Sequence, residues 1–250
     1  MILPTVSRAF LEDWLLVLRP LCPPEQLQDF IDQIGLADTG FADPRARVTH
    51  DQIVRLYQLV AQGTGDEMMG LWSRPIRSST LKHLCTSVRG ASSLSASLYR
   101  FTSFWNLLLD DFKLELQEED DVLRIVLLPR GDAVAQRFGH MLLLKLAHGI
   151  ASWLTGGELP LRGVSFAFDR PDFAEDYAIL FPAPVRFGCP HSAIEFEAQL
   201  GDLQVSRSDA EMQDFLQRAP RDWIFTSYRE HALSLRVREL ILLAHRMEYH

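Results

Sequence analysis

Two short motifs carry donor atoms for a metal: His83-Leu84-Cys85 and Cys189-Pro190-His191. Thiolate and imidazole are zinc ligands, but structural zinc sites show closer paired spacings such as Cys-x2-Cys with His-x3-His. Cys85 therefore reads as a core residue on a helix, and His191 as part of an exposed turn. Asp110-Asp111 and the run Glu118-Glu119-Asp120-Asp121 supply carboxylates of the kind an acid/base pair or a cation site uses. Four acids at a hairpin tip read as a solvated turn. Neither His-Glu-x-x-His, Gly-x-Ser-x-Gly nor a phosphate-binding P-loop occurs. With no set of positioned acids, bases and nucleophiles, the chain reads as a protein that is not an enzyme. No cofactor is expected.

The aromatic residues point to binding. Trp72, Tyr99, Phe101, Trp105, Phe166 and Phe168 can line an apolar pocket between a helical layer and a sheet. Small-molecule pockets are mostly apolar with a few placed polar groups. Arg124 and Arg186 sit between apolar neighbours, and a guanidinium fork matches a carboxylate. These eight residues are the ligand-binding candidates.

The elements that must hold them follow from periodicity. Val6, Phe10, Trp14, Val17 and Leu18 recur at helical spacing up to Pro20. Leu27, Phe30, Ile31 and Ile34 do so up to Gly35. Thr49-x-x-Gln52 is a capping box opening a helix that Gly63 ends, and Ser79 is placed to cap the helix of Leu84 and Val88. Leu94, Leu98, Phe101, Trp105 and Leu108 mark a longer helix. Alternation then takes over: Phe112, Leu114 and Leu116, the acidic turn, and Leu123, Ile125 and Leu127 form a β-hairpin. Asp132 is placed to cap a helix with the stripe Val134, Phe138, Met141, Leu142, Leu146, Ile150 and Trp153, closed by Gly156-Gly157. Val164, Phe166 and Phe168 alternate as a strand, as do Val185 to Phe187 and the Ile194 and Phe196 pair. Ser208-x-x-Glu211 is a second capping box, and Leu233 to Ala244 carries a last apolar stripe.

The fold class is α+β: an N-terminal helical layer, then an antiparallel sheet with a long helix packed on it. A cupin-like barrel with added helices is the alternative. The shift near residue 110 divides the chain into a helical part (1–110), an α+β part (111–220) and a C-terminal helix or linker (221–250).

The bulk numbers narrow the function. Of 250 residues, 47% are hydrophobic and 23% charged, with a formal net charge of −8. That balance argues against a chain that grips nucleic acid by itself. Three widely spaced cysteines are no disulfide framework and fit a reducing cytoplasm. The longest apolar stretch, Met141 to Leu154, contains Lys145 and His148 and is too short for a bilayer, so no membrane role is expected.

Several segments together resemble the arabinose-binding-type N-terminal domain of AraC-type transcription regulators. These are Gly35-Leu36 through Asp43-Pro44-Arg45-Ala46-Arg47-Val48-Thr49, then Thr64-Gly65-Asp66-Glu67-Met68-Met69-Gly70-Leu71, then Pro184-Val185-Arg186-Phe187-Gly188-Cys189-Pro190, and near the end Leu233-Ser234-Leu235-Arg236-Val237-Arg238. The similarity runs over roughly residues 25 to 245, in the family's order. The stretch after Leu200, Gly201-Asp202-Leu203-Gln204-Val205, departs from the family's usual Leu-x-x-Pro-Leu. The resemblance implies a ligand-sensing and dimerising domain that binds a small organic effector: an organic acid, an amino acid or a fatty-acid-like molecule; the alternative is a stand-alone small-molecule binding or interaction protein without a DNA role. It also implies a homodimer, and DNA contact only through a C-terminal helix-turn-helix domain. The stretch from Leu233 to His250 has room for one helix, so that DNA-binding domain is expected to be absent from this chain.

Overall fold

The computed structural model describes residues 5–36, 46–134 and 136–225. The stripe predicted over 233–244 lies outside the described residues, as do residues 37–45 of the first resemblance segment and the whole of the last one, 233–238.

The chain enters as strand β1 (Thr5–Ser7), which takes Val6 out of the predicted helix, and turns into helix α1 (Arg8–Leu18), where the Ser7 hydroxyl accepts the Phe10 N–H at 3.2 Å. Helix α2 (Pro24–Gln33) starts with proline in its first turn, where no backbone donor is lost. Strand β2 (Arg47–Thr49) pairs antiparallel with β1, Val48 opposite Val6. The predicted capping box opens helix α3 (His50–Thr64): Thr49 Oγ1 accepts the Gln52 N–H at 3.3 Å and Gln52 Oε1 accepts the Thr49 N–H at 2.9 Å. The helix ends at Gly65, in the left-handed conformation at φ +69°, rather than at Gly63. Helix α4 (Thr80–Arg89) is not capped by the Ser79 side chain. The Glu67 carboxylate takes that role, accepting the N–H groups of Ser79 and Leu81. Helix α5 (Leu94–Leu108) is capped by Ser93.

Strands β3 (Phe112–Glu119) and β4 (Val122–Pro129) form the predicted hairpin, turning at Asp120 with φ +52°. Helix α6 (Arg137–Thr155) begins later than Asp132 suggests, because the Gln136 side chain accepts the Gly139 N–H and sets the cap there. Val134 consequently lies outside the helix and is 83% exposed. Strand β5 (Gly163–Ser165) stops before Phe166 and Phe168, which belong to the loop running on to helix α7 (Glu175–Leu180). Strands β6 (Val185–Arg186) and β7 (Ser192–Glu197) follow, then a 3-10 turn (Ala198–Asp202). Helix α8 (Asp209–Arg218), with its predicted capping box, and the short helix α9 (Arg221–Ile224) close the described chain.

The larger sheet has the order β3-β4-β7-β5-β6, antiparallel except for the β5–β6 pair, which is parallel. Its end strands are not paired with each other, so the sheet is open and the cupin-like alternative is set aside in favour of the α+β reading. Register puts Leu114, Leu127 and Ser192 on one face, with Leu116, Ile125, Ile194 and Val164 beside them. Helices α5 and α6 cover this sheet. The edge strand β3 is held by Asn106, whose amide accepts the Leu114 N–H and donates to the Leu114 carbonyl, both at 2.8 Å. A side chain thus occupies edge groups that would otherwise pair with another strand.

Helix α6 runs through the core. Every residue from Phe138 to Leu154 is buried, including His140, Lys145, His148 and Ser152. A helix apolar on all sides needs partners on all sides. These are α1, α5, β7 and α9.

Candidate functional site

Helix α1, the start of α6 and the loop 166–173 line an open surface cleft with two adjoining lobes. One is about 620 Å³, lined by Arg8, Glu12, Asp13, Leu16, Arg137, Arg170, Asp172 and Phe173 among others. The second, about 580 Å³, shares Asp13, Leu16 and Arg137 and adds Val17, Gln136, Phe168 and Asp169. This size suits a small molecule.

The central polar feature is an ion pair across the cleft. Asp13 lies on the apolar stripe of α1 and is only 7% exposed. Its Oδ1 accepts from Arg137 Nε at 2.8 Å and also from Nη2. The carboxylate holds the guanidinium above its ordinary range by hydrogen bonding, against a smaller effect of burial. Arg8 pairs with Glu12 at 2.8 Å on the neighbouring turn. Arg170 projects over the ring of Phe187, 5.7 Å from its centroid.

Behind the cleft lies a buried aromatic cluster, which reaches the cleft surface through Phe168 and Phe173. Trp14 stacks on Phe138 with centroids 5.0 Å apart, Phe10 meets Phe138 at 5.6 Å, and Phe10 meets Tyr177 and Phe173 edge-on. Phe166 and Phe168 stack at 4.9 Å and join this cluster through Tyr177. Burial, reinforced by the Asp13 charge, pushes the Tyr177 phenol well above its usual value, so it stays a neutral hydroxyl.

The eight candidates read from sequence fall in separate places. Phe168 lines the cleft and Phe166 stacks behind it. Trp72 is buried elsewhere, beside Phe112 and His140. Phe101 and Trp105 are core residues of α5, in edge contact with each other, while Tyr99 on the same helix is 64% exposed. Arg124 and Arg186 both belong to the outer face of the sheet around Glu195: Arg124 is its cross-strand partner, and Arg186 donates to it at 3.2 Å. Arg124 also approaches Glu119 at 3.8 Å. The cleft residues absent from that set are Arg8, Asp13, Arg137 and Arg170. Asp13 had a readable signal, since it stands three residues after Phe10 and four before Val17, on the stripe a core helix keeps apolar.

A second buried polar group sits deeper along α6. Lys145 Nζ lies 3.1 Å from His148 Nδ1, and His148 Nε2 donates to the Leu159 carbonyl at 2.8 Å. Burial lowers Lys145 to about 7, opposed by Glu158, and lowers His148 to about 3, helped by Lys145. Near the start of the helix, His140 Nδ1 and Ser192 Oγ are 2.8 Å apart, and burial takes His140 to about 4. Among the described residues no group of three or more His, Cys, Asp or Glu side chains is arranged to hold a metal, and the cysteines are free thiols. No helix among the described residues is long and apolar enough to cross a membrane.

The family described as the arabinose-binding domain of AraC transcription regulators, N-terminal, matches residues 26–205. The chain belongs to this family. Its matched region takes in the chain from α2 through β7, including the aromatic loop and Arg137. Among solved structures, the transcriptional regulator CdpR from Pseudomonas aeruginosa is similar at 15% identity with a TM-score of 0.41. The similarity covers 80% of this chain and 62% of that one, so the chain spans less than two thirds of that regulator's length. No curated protein sequence matches this arabinose-binding-type domain.

Proposed function

We propose that this arabinose-binding-type domain senses a small organic effector, and that the effector occupies the cleft between α1, the start of α6 and the loop 166–173. Membership of the family over residues 26–205 carries the regulatory reading. The cleft's size, its ion pair and the two aromatic side chains on its lining, Phe168 and Phe173, support the location, with Phe168 as the contact shared with the sequence-based set. In the complete regulator, the domain acts as a homodimer in the cytoplasm, and effector binding biases an attached helix-turn-helix domain between states of different DNA affinity. The protein works by binding rather than catalysis.

The test is a thermal-denaturation screen of the full chain against organic acids, amino acids and fatty acids. A ligand at a hundred times its Kd adds about 2.7 kcal/mol. For a domain of this size that raises Tm by roughly 5–10 °C. Failure of all three classes to move Tm would overturn the sensing role. For a ligand that does bind, replacing Leu16 by Trp fills the cleft and is expected to abolish the shift.

A further inference from the structure

We infer that the cleft is built for a small zwitterion, an α-amino acid with an apolar side chain, in preference to a fatty acid or a simple carboxylic acid. This rests on reading the cleft as the effector site.

The argument is one of charge accounting. The first lobe carries three cations, Arg8, Arg137 and Arg170, and three carboxylates, Glu12, Asp13 and Asp172. Asp169 adds a fourth carboxylate in the second lobe. A site for a lone carboxylate would show an excess of cations, and one for a fatty acid a long apolar channel. Neither holds here. Arg8 and Arg137 are already matched by Glu12 and Asp13. Among the described residues, Arg170, Asp169 and Asp172 form no ion pair. An incoming anion therefore meets one guanidinium outside any ion pair, with the carboxylates of Asp172 in the same lobe and Asp169 in the next. That arrangement repels a bare carboxylate and accepts a ligand whose positive charge is adjacent to its negative one.

The buried Asp13 supplies the second contact. Both bonds from Arg137 fall on Oδ1, and no hydrogen bond among the described residues reaches Oδ2. A carboxylate can accept on both oxygens, so Oδ2 is available to an ammonium group without breaking the Arg137 pair. Arg170, steadied over Phe187, takes the ligand carboxylate. Leu16, Phe168 and Phe173 supply apolar surface for the ligand's side chain.

The experiment is calorimetric titration of the full chain with the twenty L-α-amino acids. It adds the deaminated acids 3-phenylpropanoate and 4-methylpentanoate, the amines phenethylamine and 3-methylbutylamine, and dodecanoate. At least one apolar amino acid is expected to bind, with its single-charge analogues at least tenfold weaker. Arg170→Ala, an exposed position the fold does not depend on, is expected to weaken the amino acid at least tenfold. A deaminated acid or dodecanoate binding as tightly as any amino acid, with that binding lost in Arg170→Ala or Leu16→Trp, overturns the zwitterion class and leaves the cleft as the effector site. Binding that neither substitution changes overturns the cleft itself. Absence of binding by all twenty amino acids also overturns the proposal.

Discussion

Single side chains decide how this domain responds to charge. Asp13 is buried and matched by Arg137, whose own side chain is 43% exposed, so water screens part of the pair's energy. Asp13→Asn keeps the shape and one acceptor but removes the charge. It is expected to destabilise the domain by about 1–2 kcal/mol, read as a lower denaturant midpoint at unchanged slope. The buried bases of α6 set the pH dependence. His140, at about 4, and His148, at about 3, stay neutral in the folded protein while the unfolded chain protonates near 6.5. Their contribution is therefore present above pH 6.5 and lost as pH falls towards 4. Lys145 at about 7 lies below its ordinary 10.5, so the unfolded state again holds the extra proton, and stability rises from pH 7 upward. The raised Cys85 thiol works the other way above its ordinary value of 9.0, and the raised Glu67 carboxyl does so at the acid end. The expected result is a Tm that climbs from pH 5 to pH 9. Lys145→Met is expected to flatten the climb between pH 7 and 9 and to keep the one between 5 and 6.5.

At the scale of elements, local chemistry was legible where a side chain caps its own backbone. Thr49 with Gln52 and Ser208 with Glu211 are capping boxes in sequence and in structure, because both partners lie within one turn. Ser79 and Asp132 misled for the opposite reason. Glu67, twelve residues upstream of Ser79, supplies the acceptor for α4, and Gln136 supplies it for α6. How helices cross is likewise not local. A Cβ on Gly149 would lie 2.5 Å from the Trp223 Cα, so α9 can dock on α6 only at this glycine. Gly149→Ala should stabilise an isolated helix by about 1 kcal/mol. Here it is expected to cost about 1–3 kcal/mol through overpacking and to speed amide exchange over residues 221–225. A stabilised protein with unchanged exchange would show that the α6–α9 contact yields without strain.

At the scale of the molecule, the N-terminal strands are tied to α7 through one carboxylate. Asp176 on α7 is 3% exposed and accepts the Ser7 N–H at 3.0 Å, the Ser7 hydroxyl, and Arg47 Nη1 at 3.5 Å. It joins β1, β2 and α7 into the wall from which α1 starts along the cleft. Asp176→Ala leaves the Ser7 N–H without its acceptor and is expected to cost about 2 kcal/mol. Limited proteolysis should then cut within residues 5–18 faster than in the parent protein; unchanged cleavage would mean that β1 is held by its pairing with Val48 alone.

The sequence by itself determined the α+β class, the hairpin, the long buried helix and the family, because each is written in periodicity, capping or motif order along neighbouring residues. It also placed Phe168 among the ligand candidates. Only the tertiary structure decided that the sheet stays open, that Arg124 and Arg186 face each other around Glu195 on its outer side, and that Asp13, Arg137 and Arg170 meet at one cleft. Those three residues come from α1, from α6 and from the loop before α7, and nothing local relates them. Hydrophobic periodicity reports which face of an element is buried. It carries no information on which buried faces meet, since that is fixed by packing between segments distant in the sequence.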